Sequence, residues 1–332
     1  MRPSFSELFL DPTGQVALYQ AEDRYLGWLT ARFGDRFRDY RRRWAEAAAR
    51  GEAASFPLAL DLAVNSGCQS HCLMCPLPGR SEGRRVRLMD PALYEGLMLQ
   101  AEEFGLPALT LGLGSEPLLN PKTPHLAARA VRAGIMDIRL GTNGLGLDRE
   151  TAKALVESGL TRLEVSVDAA RAETYRQVRG GDLAELERAI DIFLEARWRS
   201  GAATPLLRLS FLRLAENRAE EAEFLDRFGP LADMLALQEP LWFPGTRLPT
   251  PGPDGRFQAE SCAQPWQRLG VDQDGRFWPC CSWPAAALLP FNAHSASLAQ
   301  VWRSPELAAW RRNLAGAPAG WPGPCRNCRT IG

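Results

Sequence analysis

The hydrophobic pattern of this chain alternates between short apolar runs and amphipathic stretches. Six apolar runs have the length and residue types of buried strands, and helical periodicity fills much of the sequence between them. The runs cover residues 58–64, 108–114, 136–142, 161–167, 206–214 and 232–238. Mostly apolar strands that alternate with helices are typical of the α/β class, with a parallel sheet covered by helices. Because six βα units cannot close an eight-stranded barrel, the pattern predicts a partial, TIM-like (β/α)6 barrel with its site at the carboxyl ends of the strands.

Three further segments flank this core. Residues 1–57 begin with the hydrophobic and turn segment FLDPTGQVALYQ and continue with helical periodicity, so they predict an N-terminal helical extension. Residues 241–258 are rich in proline and glycine and are interpreted as a linker. Residues 259–332 contain cysteines, tryptophans and turns, which predict a small cysteine-rich domain. The core barrel is therefore expected over residues 58–240.

Composition and charge narrow the class of protein. The 332 residues are 45% hydrophobic and 23% charged, as in ordinary globular proteins. The 39 basic and 39 acidic residues cancel, so the chain lacks the charge of a general nucleic-acid or anionic-membrane binder. No run approaches the ~20 apolar residues of a membrane span, and the N-terminus has no long apolar core of the secretory kind. We therefore expect a cytoplasmic protein with no membrane or nucleic-acid partner.

Eight cysteines in a reducing compartment point to metal or redox chemistry rather than disulfides. Cys68, Cys72 and Cys75 form a C-x3-C-x2-C motif directly after the first predicted strand. Soft thiolate ligands favour zinc or iron–sulfur centres. Three ligands leave one iron of a [4Fe-4S] cluster open to a further ligand. The alternative is a structural zinc site completed by His71 or by a distant cysteine.

Three more motifs follow the next predicted strands. GLGSEPLLNP follows the second strand, GTNGLG the third, and EVSVDAARAETYRQVRGG includes the fourth. Together with the three cysteines, these motifs resemble the radical S-adenosylmethionine (radical SAM) superfamily over residues 58–240. The resemblance implies that Cys68, Cys72 and Cys75 hold a [4Fe-4S] cluster. It also implies reductive cleavage of SAM to a 5′-deoxyadenosyl radical, which takes a hydrogen atom from a substrate carbon.

The resemblance implies a set of SAM contacts at the strand ends. The glycine–glycine–glutamate segment that contacts the methionine amino group of SAM corresponds to Gly112, Gly114, Ser115 and Glu116, with Ser115 in place of the second glycine. The positions that contact the ribose and carboxylate of SAM correspond to Thr142, Asn143, Ser166 and Asp168. The resemblance further implies that Arg179 pairs with a carboxylate and that Met74 fills the space near adenine. For Asn143, Ser166 and Asp168 the alternative is turn capping and strand-end hydrogen bonding.

A second group of cysteines lies near the C-terminus. The segments around Cys262, Cys280, Cys325 and Cys328 resemble the SPASM/twitch appendage of radical SAM enzymes. The resemblance implies the shorter twitch form, with one auxiliary [4Fe-4S] cluster held by all four thiolates. A zinc ribbon with the same four ligands is the alternative.

Cys281 is the cysteine left over. One interpretation is a buried bystander beside Cys280. The other is a catalytic residue that donates a hydrogen atom to a substrate radical, in which case the enzyme is an epimerase.

The family resemblance allows two substrate classes. We expect modification of a ribosomally made peptide, by epimerisation or crosslinking, because of the long N-terminal extension and the additional Cys281. The alternative is dehydrogenation or epimerisation of a carbohydrate or aminocyclitol, which the single auxiliary cluster favours. A third interpretation is a non-catalytic iron–sulfur or zinc scaffold. The expected reductant is of the flavodoxin or ferredoxin type.

Overall fold

The centre of the computed structural model is a sheet with six parallel strands in chain order. The structure describes residues 8–10, 16–20, 24–50, 52–76, 83, 85–242, 246–248, 262–280, 288–316, 320–323, 325 and 329–330. The six strands are β3 (Ala59–Leu62), β4 (Ala108–Leu111), β5 (Asp137–Thr142), β6 (Arg162–Ser166), β7 (Leu206–Leu212) and β8 (Met234–Gln238). Each pairs in parallel with the next along the chain. All six predicted strands and the open α/β barrel are thus confirmed.

Helices connect these strands and cover one face of the sheet. They are α3 (Pro91–Phe104), α4 (Thr123–Arg132), α5 (Arg149–Glu157), α6 (Ala172–Arg179), α7 (Leu183–Ser200) and α8 (Glu221–Phe228). Side-chain caps fix several helix starts: Asp90, Asp148 and Asp182 each accept a backbone N–H in the first turn of the following helix. A short 3-10 turn, Pro117–Leu119, precedes α4.

The two faces of the sheet differ in polarity. On β5, Ile138 and Leu140 are completely buried in the main hydrophobic core, beneath the helices. Arg139 and Gly141 alternate with them and remain partly exposed on the opposite, inner face. The same alternation on the neighbouring strands gives an apolar outer face and a polar inner face.

Strands outside the predicted core extend the sheet at both ends. The hairpin β1 (Leu8–Leu10) and β2 (Val16–Gln20) pairs antiparallel with β8. At the other end, β10 (Arg268–Val271) pairs in parallel with β3, and β11 (Phe277–Trp278) pairs antiparallel with β10. Within the described residues, the order is β1-β2-β8-β7-β6-β5-β4-β3-β10-β11, with two unjoined edges. The sequence interpretation did not predict these four short strands, and the pairing of β2 with β8 and of β10 with β3 joins segments far apart in the chain, which leaves no local pattern.

The remaining elements lie in the flanking segments. They are α1 (Arg24–Phe33), α2 (Asp35–Arg50), β9 (Leu241–Trp242), α9 (Gln264–Gln267), α10 (Leu298–Trp302), α11 (Pro305–Ala315) and β12 (Arg329–Thr330). Strand β9 pairs antiparallel with β12, so it brings residues of the predicted linker beside the C-terminal segment.

Helices α1 and α2 close the amino-terminal end of the barrel. Phe37 and Tyr40 of α2 are buried in a hydrophobic cluster with Ala59, Ala108 and Leu206, which begin three of the parallel strands. The closed end leaves the carboxyl ends of the strands as the open mouth. Among the described residues, none of the helices has both the length and the apolar character needed to cross a membrane.

The buried outer face generates the first prediction. Leu140→Ala removes a completely buried side chain from the central strand β5. We expect the free energy of unfolding to fall by about 2–5 kcal/mol, because the substitution loses apolar burial and leaves a cavity. The matched control is Leu99→Ala on α3, where the side chain is 56% exposed. Urea unfolding that shows equal losses for the two variants would contradict this packing.

Candidate active site

The loop that carries the first three cysteines is fixed to the loop after β4. Asn65 is completely buried at the end of β3, where its Oδ1 accepts a hydrogen bond from Gly67 N at 2.8 Å. Its Nδ2 donates to the carbonyl oxygen of Glu116, also at 2.8 Å. Glu116 N donates to the carbonyl oxygen of Gly67 at 2.8 Å. These bonds fix the start of the cysteine loop before Cys68.

The far side of the same loop rests on the end of α6. Leu73 N donates to the carbonyl oxygen of Val178 at 2.8 Å, and Arg247 N donates to that of Leu73 at 3.2 Å. A Cβ added at Gly180 would lie 3.1 Å from Cβ of His71, so the two segments are closely packed. The loop is therefore held on both sides by the barrel.

The three thiols lie in a partly dehydrated environment. Cys72 is buried, whereas Cys68 and Cys75 are half-buried. Burial raises the pKa of the Cys72 thiol to about 11 and also raises that of Cys68, while the positive charge of Arg179 opposes both shifts. Within the described part of the chain, no three His, Cys, Asp or Glu side chains are gathered closely enough for one metal ion.

Glu116 joins the loops after β4 and β5. Its side chain is buried, with Oε1 accepting hydrogen bonds from Thr142 Oγ1 at 2.7 Å and Leu118 N at 3.1 Å. Oε2 accepts from Asn143 N at 2.7 Å. Burial raises the pKa of Glu116, and these three hydrogen bonds oppose the shift. The carboxylate, predicted as a SAM contact, thus has three partners inside the protein.

Asn143 extends this connection to the cysteine loop. Its Nδ2 donates to Ser70 Oγ at 2.8 Å and lies 4.0 Å from Cys68 Sγ. Its Oδ1 accepts from Leu145 N at 3.0 Å, the turn-capping bond expected as the alternative to ligand contact. The structure therefore brings Thr142, Asn143, Glu116 and Cys68 together at the mouth.

The glycine-rich segment between β4 and Glu116 passes close to the end of β5. Gly112 has φ = 114°, and a Cβ there would lie 2.6 Å from the carbonyl oxygen of Gly141. Gly114 also has a positive φ of 61°. Ser115 Oγ is buried and has no hydrogen-bond partner among the described residues. An unpartnered buried hydroxyl beside a tight glycine turn fits a segment that receives a ligand.

Asp168 and Arg179 form a buried ion pair beside the cysteines. Arg179 Nη1 donates to Asp168 Oδ2 at 3.1 Å, and the Arg179 carbonyl oxygen lies 4.0 Å from Cys72 Sγ. Asp168 Oδ1 accepts from Leu212 N at 2.7 Å. Asp168 also has φ = 61°, the one positive value outside glycine in the described residues. Such a conformation is costly and is retained where the surroundings fix it, often at functional sites.

Two other predicted SAM contacts lie nearby. Ser166 ends β6 on the inner face, opposite Ser210 of β7. Met74 packs against a small apolar cluster that contains Val178, Leu214 and Leu248. Their roles toward SAM remain predictions, like those of the other site residues.

The C-terminal cysteines are described in part. Cys280 is buried and packs with Trp278, Ala63 and Leu113. Ala63 directly follows β3 and Leu113 lies just beyond β4, so Cys280 approaches the strand ends that lead into the first cysteine loop and Glu116. Cys262 and Cys325 are half-buried. Cys281 and Cys328 lie outside the described residues.

Sequence reasoning missed two contributors to this site. Asn65 stands between the first strand and the first cysteine, and its position after a buried strand is the signal that could have found it. Arg247 lies in the predicted linker, where no sequence pattern indicates its backbone bond to Leu73 or its side-chain bond to the carbonyl oxygen of His71.

Comparison with known proteins agrees with this geometry. The radical SAM superfamily model matches residues 62–214, and the model of the SPASM iron-sulfur cluster-binding domain matches residues 262–329. The probable GTP 3′,8-cyclase of Methanococcus vannielii is 30% identical over 180 residues, which cover 54% of this chain and 57% of that protein. The chain thus spans about half the length of the curated relatives it matches.

Solved structures share the fold at low sequence identity. SuiB of Streptococcus suis bound to S-adenosylmethionine has a TM-score of 0.60 at 16% identity, covering 84% of this chain and 73% of that one. SuiB bound to the precursor peptide SuiA has a TM-score of 0.57 at 16% identity, with coverages of 83% and 71%. BtrN in complex with AdoMet and 2-DOIA has a TM-score of 0.53 at 19% identity, with coverages of 82% and 92%.

The chain therefore contains a radical SAM domain and an SPASM iron-sulfur cluster-binding domain. Its cofactors are SAM and two [4Fe-4S] clusters. The first site fits this assignment, since Cys68, Cys72 and Cys75 supply three thiols beside the unpartnered hydroxyl of Ser115. When bound, the cluster and SAM supply a one-electron cleavage that yields a carbon-centred radical. The protein residues hold the loops around this chemistry.

Gly112 generates the second prediction. In Gly112→Ala the new Cβ would lie 2.6 Å from Gly141 O, so β4 and β5 must separate at the mouth. We expect SAM to bind at least about tenfold more weakly, a loss of about 1.4 kcal/mol, because the substitution displaces the strand ends that carry the binding groups. Equilibrium dialysis with SAM measures the effect. Gly96→Ala is the control, since its Cβ meets nothing within 4 Å. Equal SAM affinities in all three proteins would contradict the prediction.

Proposed function

We propose that this radical SAM enzyme abstracts a hydrogen atom from a carbon of a ribosomally made peptide and thereby epimerises or crosslinks a residue. The observation that carries this proposal is the packing of Cys280 on Ala63 and Leu113, beside the strand ends that lead to the first cysteines. Cys281 follows directly in the chain. An epimerase needs a second hydrogen donor near its SAM site, and Cys281 supplies the residue type.

The proposed epimerisation consumes one SAM, one thiol hydrogen atom and two external electrons. The first electron cleaves SAM to methionine and the 5′-deoxyadenosyl radical, which takes the substrate hydrogen atom and becomes 5′-deoxyadenosine. One hydrogen atom leaves the substrate carbon, and the S–H bond of Cys281 breaks to return one from the opposite face. One electron and one proton must then restore the Cys281 thiol. We propose a flavodoxin- or ferredoxin-type reductant as the electron source. A reducing, cytoplasmic location is proposed on the same ground, because the cysteines must stay free of disulfides.

Several observations support a peptide as substrate. SuiB, which has been crystallised with a precursor peptide, shares the fold, although fold alone does not determine substrate. The inner face of the sheet is partly exposed at Thr110, Arg139 and Ser166, so there is space for a side chain to enter from the mouth. The N-terminal segment adds α1 and α2 and the β1–β2 hairpin to the barrel.

A small molecule is the second candidate substrate. BtrN, crystallised with AdoMet and 2-DOIA, shares the fold over 92% of its own length. Dehydrogenation of a carbohydrate or aminocyclitol would remove two hydrogens and would require a base and an electron acceptor. The sequence relatives named GTP 3′,8-cyclase add a nucleotide to the substrates that should be assayed.

The cysteine assignments generate the third prediction. Anaerobically purified protein should contain about eight irons per chain, four for each cluster, and should form 5′-deoxyadenosine from SAM under dithionite. Cys72→Ala should lower iron to about four per chain and abolish nucleoside formation. Cys280→Ala should lose the four irons of the auxiliary cluster, while the SAM-binding cluster should remain detectable. Bound zinc with no 5′-deoxyadenosine would instead support the non-catalytic scaffold.

Cys281 generates the fourth prediction. With a peptide substrate in heavy water, epimerisation should place one solvent deuterium at the reacted carbon, measured by mass spectrometry. Cys281→Ala should still form 5′-deoxyadenosine but lose the deuterium incorporation. A product two hydrogens lighter, formed equally well by Cys281→Ala, would reject epimerisation and indicate crosslinking of the peptide or dehydrogenation. The same assay with an aminocyclitol and with GTP separates the substrate classes.

A further inference from the structure

The inner face of the parallel sheet is an open, polar lumen below the SAM residues. Ile138 and Leu140 of β5 are completely buried under the helices, but the Arg139 side chain between them is 31% exposed. A residue in the middle of a central strand can be exposed only if the face it occupies is open to solvent. Thr110 on β4 and Ser166 on β6 are also partly exposed on this face. The lumen therefore continues from the mouth to the level of Arg139.

Two arginines share one carboxylate in this lumen. Glu164 of β6 lies opposite Arg208 of β7 in register, with Arg208 Nη1 2.8 Å from Glu164 Oε1. Arg139 Nη1 approaches the other oxygen, Glu164 Oε2, at 3.2 Å. Burial would raise the pKa of Glu164, but the positive charges of Arg208, Arg139 and Arg162 outweigh it and lower the pKa to about 2. Glu164 is therefore ionised at neutral pH and offers one negative charge to two guanidinium groups.

The two arginines differ in exposure. The side chain of Arg208 is only 7% exposed and makes the shorter ion pair with Glu164. Arg139 makes the longer ion pair, and its side chain is 31% exposed. Elsewhere on the inner face, arginine and carboxylate pair one to one, as in Arg268 with Asp61 at 3.0 Å. Arg139 is thus the accessible cation of the group.

We propose that Arg139 binds an anionic group of the substrate, a carboxylate or a phosphate, inside the barrel. An anionic ligand stabilises a cation in a partly dehydrated lumen. A guanidinium group also donates two parallel hydrogen bonds to carboxylate or phosphate oxygens. Glu164 holds the Arg139 guanidinium on the Arg208 side of the lumen and offsets part of its positive potential. Ser166 lies two positions after Glu164 along β6, a distance of about 7 Å. The reacting carbon and the anionic group would therefore lie within a few bonds of each other in the substrate.

This inference rests on the proposed function only in taking the lumen as the substrate site. Its test uses oxidised, SAM-loaded holoenzyme and measures the affinity of two probes, acetate and inorganic phosphate, by anaerobic titration calorimetry at constant ionic strength. Arg139→Gln should weaken binding of the preferred probe by at least about tenfold, the loss expected for a charged hydrogen bond. Arg139→Lys should retain part of the affinity. Tighter acetate binding indicates a carboxylate substrate and tighter phosphate binding a phosphorylated one.

Glu164→Gln provides a test of opposite sign. Removing the shared carboxylate should strengthen anion binding several-fold. If the ion pairs among Arg139, Glu164 and Arg208 were merely structural, both Arg139→Gln and Glu164→Gln would weaken anion binding. Arg149→Gln, which removes a 72% exposed arginine on α5, is the control and should leave the affinity unchanged. Iron content and thermal unfolding of each variant identify any misfolded protein.

The result that would overturn the inference is equal probe affinity in the parent and Arg139→Gln, or no binding of either probe to the parent. Formation of 5′-deoxyadenosine by the parent is measured separately. Its absence would overturn the proposed function, whereas intact SAM cleavage without anion binding would overturn this inference alone.

Discussion

The buried carboxylate of Glu116 is the interaction on which the site depends most. It accepts hydrogen bonds from the end of β5 through Thr142 and Asn143, while its own backbone bonds to Asn65 and Gly67 of the cysteine loop. Three consecutive strands thus meet at one residue. Parallel strands bring their carboxyl ends to one edge, but the loops beyond them have no sheet bonds to hold them. Glu116 supplies that connection at the mouth of the barrel.

The two faces of the sheet explain how one small barrel combines stability with chemistry. The outer face buries leucine, isoleucine and valine under six helices, which provides most of the apolar burial. The inner face can then hold charged residues, because α1 and α2 close its amino-terminal end and the ion pairs satisfy the charges inside. Burying such charges is costly without partners, so their presence in the lumen fits a surface used for recognition.

The sequence predicted the core well because its signal is local. Six apolar runs and the spacing of Cys68, Cys72 and Cys75 were sufficient for the open barrel and the radical SAM family. The pairing of β10 with β3 and of β2 with β8 could not be predicted, since it joins segments far apart in the chain. Arg139 and Glu164 interrupt apolar strands at alternating positions, yet only the register of β5, β6 and β7 shows that they converge with Arg208.

The central claim is that the first cluster has three protein ligands and an iron that binds SAM. Electron paramagnetic resonance of the dithionite-reduced protein, recorded before and after addition of SAM, tests this claim most directly. We predict that SAM changes the g-values of one of two [4Fe-4S] signals and leaves the other unchanged. Two signals that are both insensitive to SAM, or no iron–sulfur signal in anaerobically prepared protein, would contradict the account.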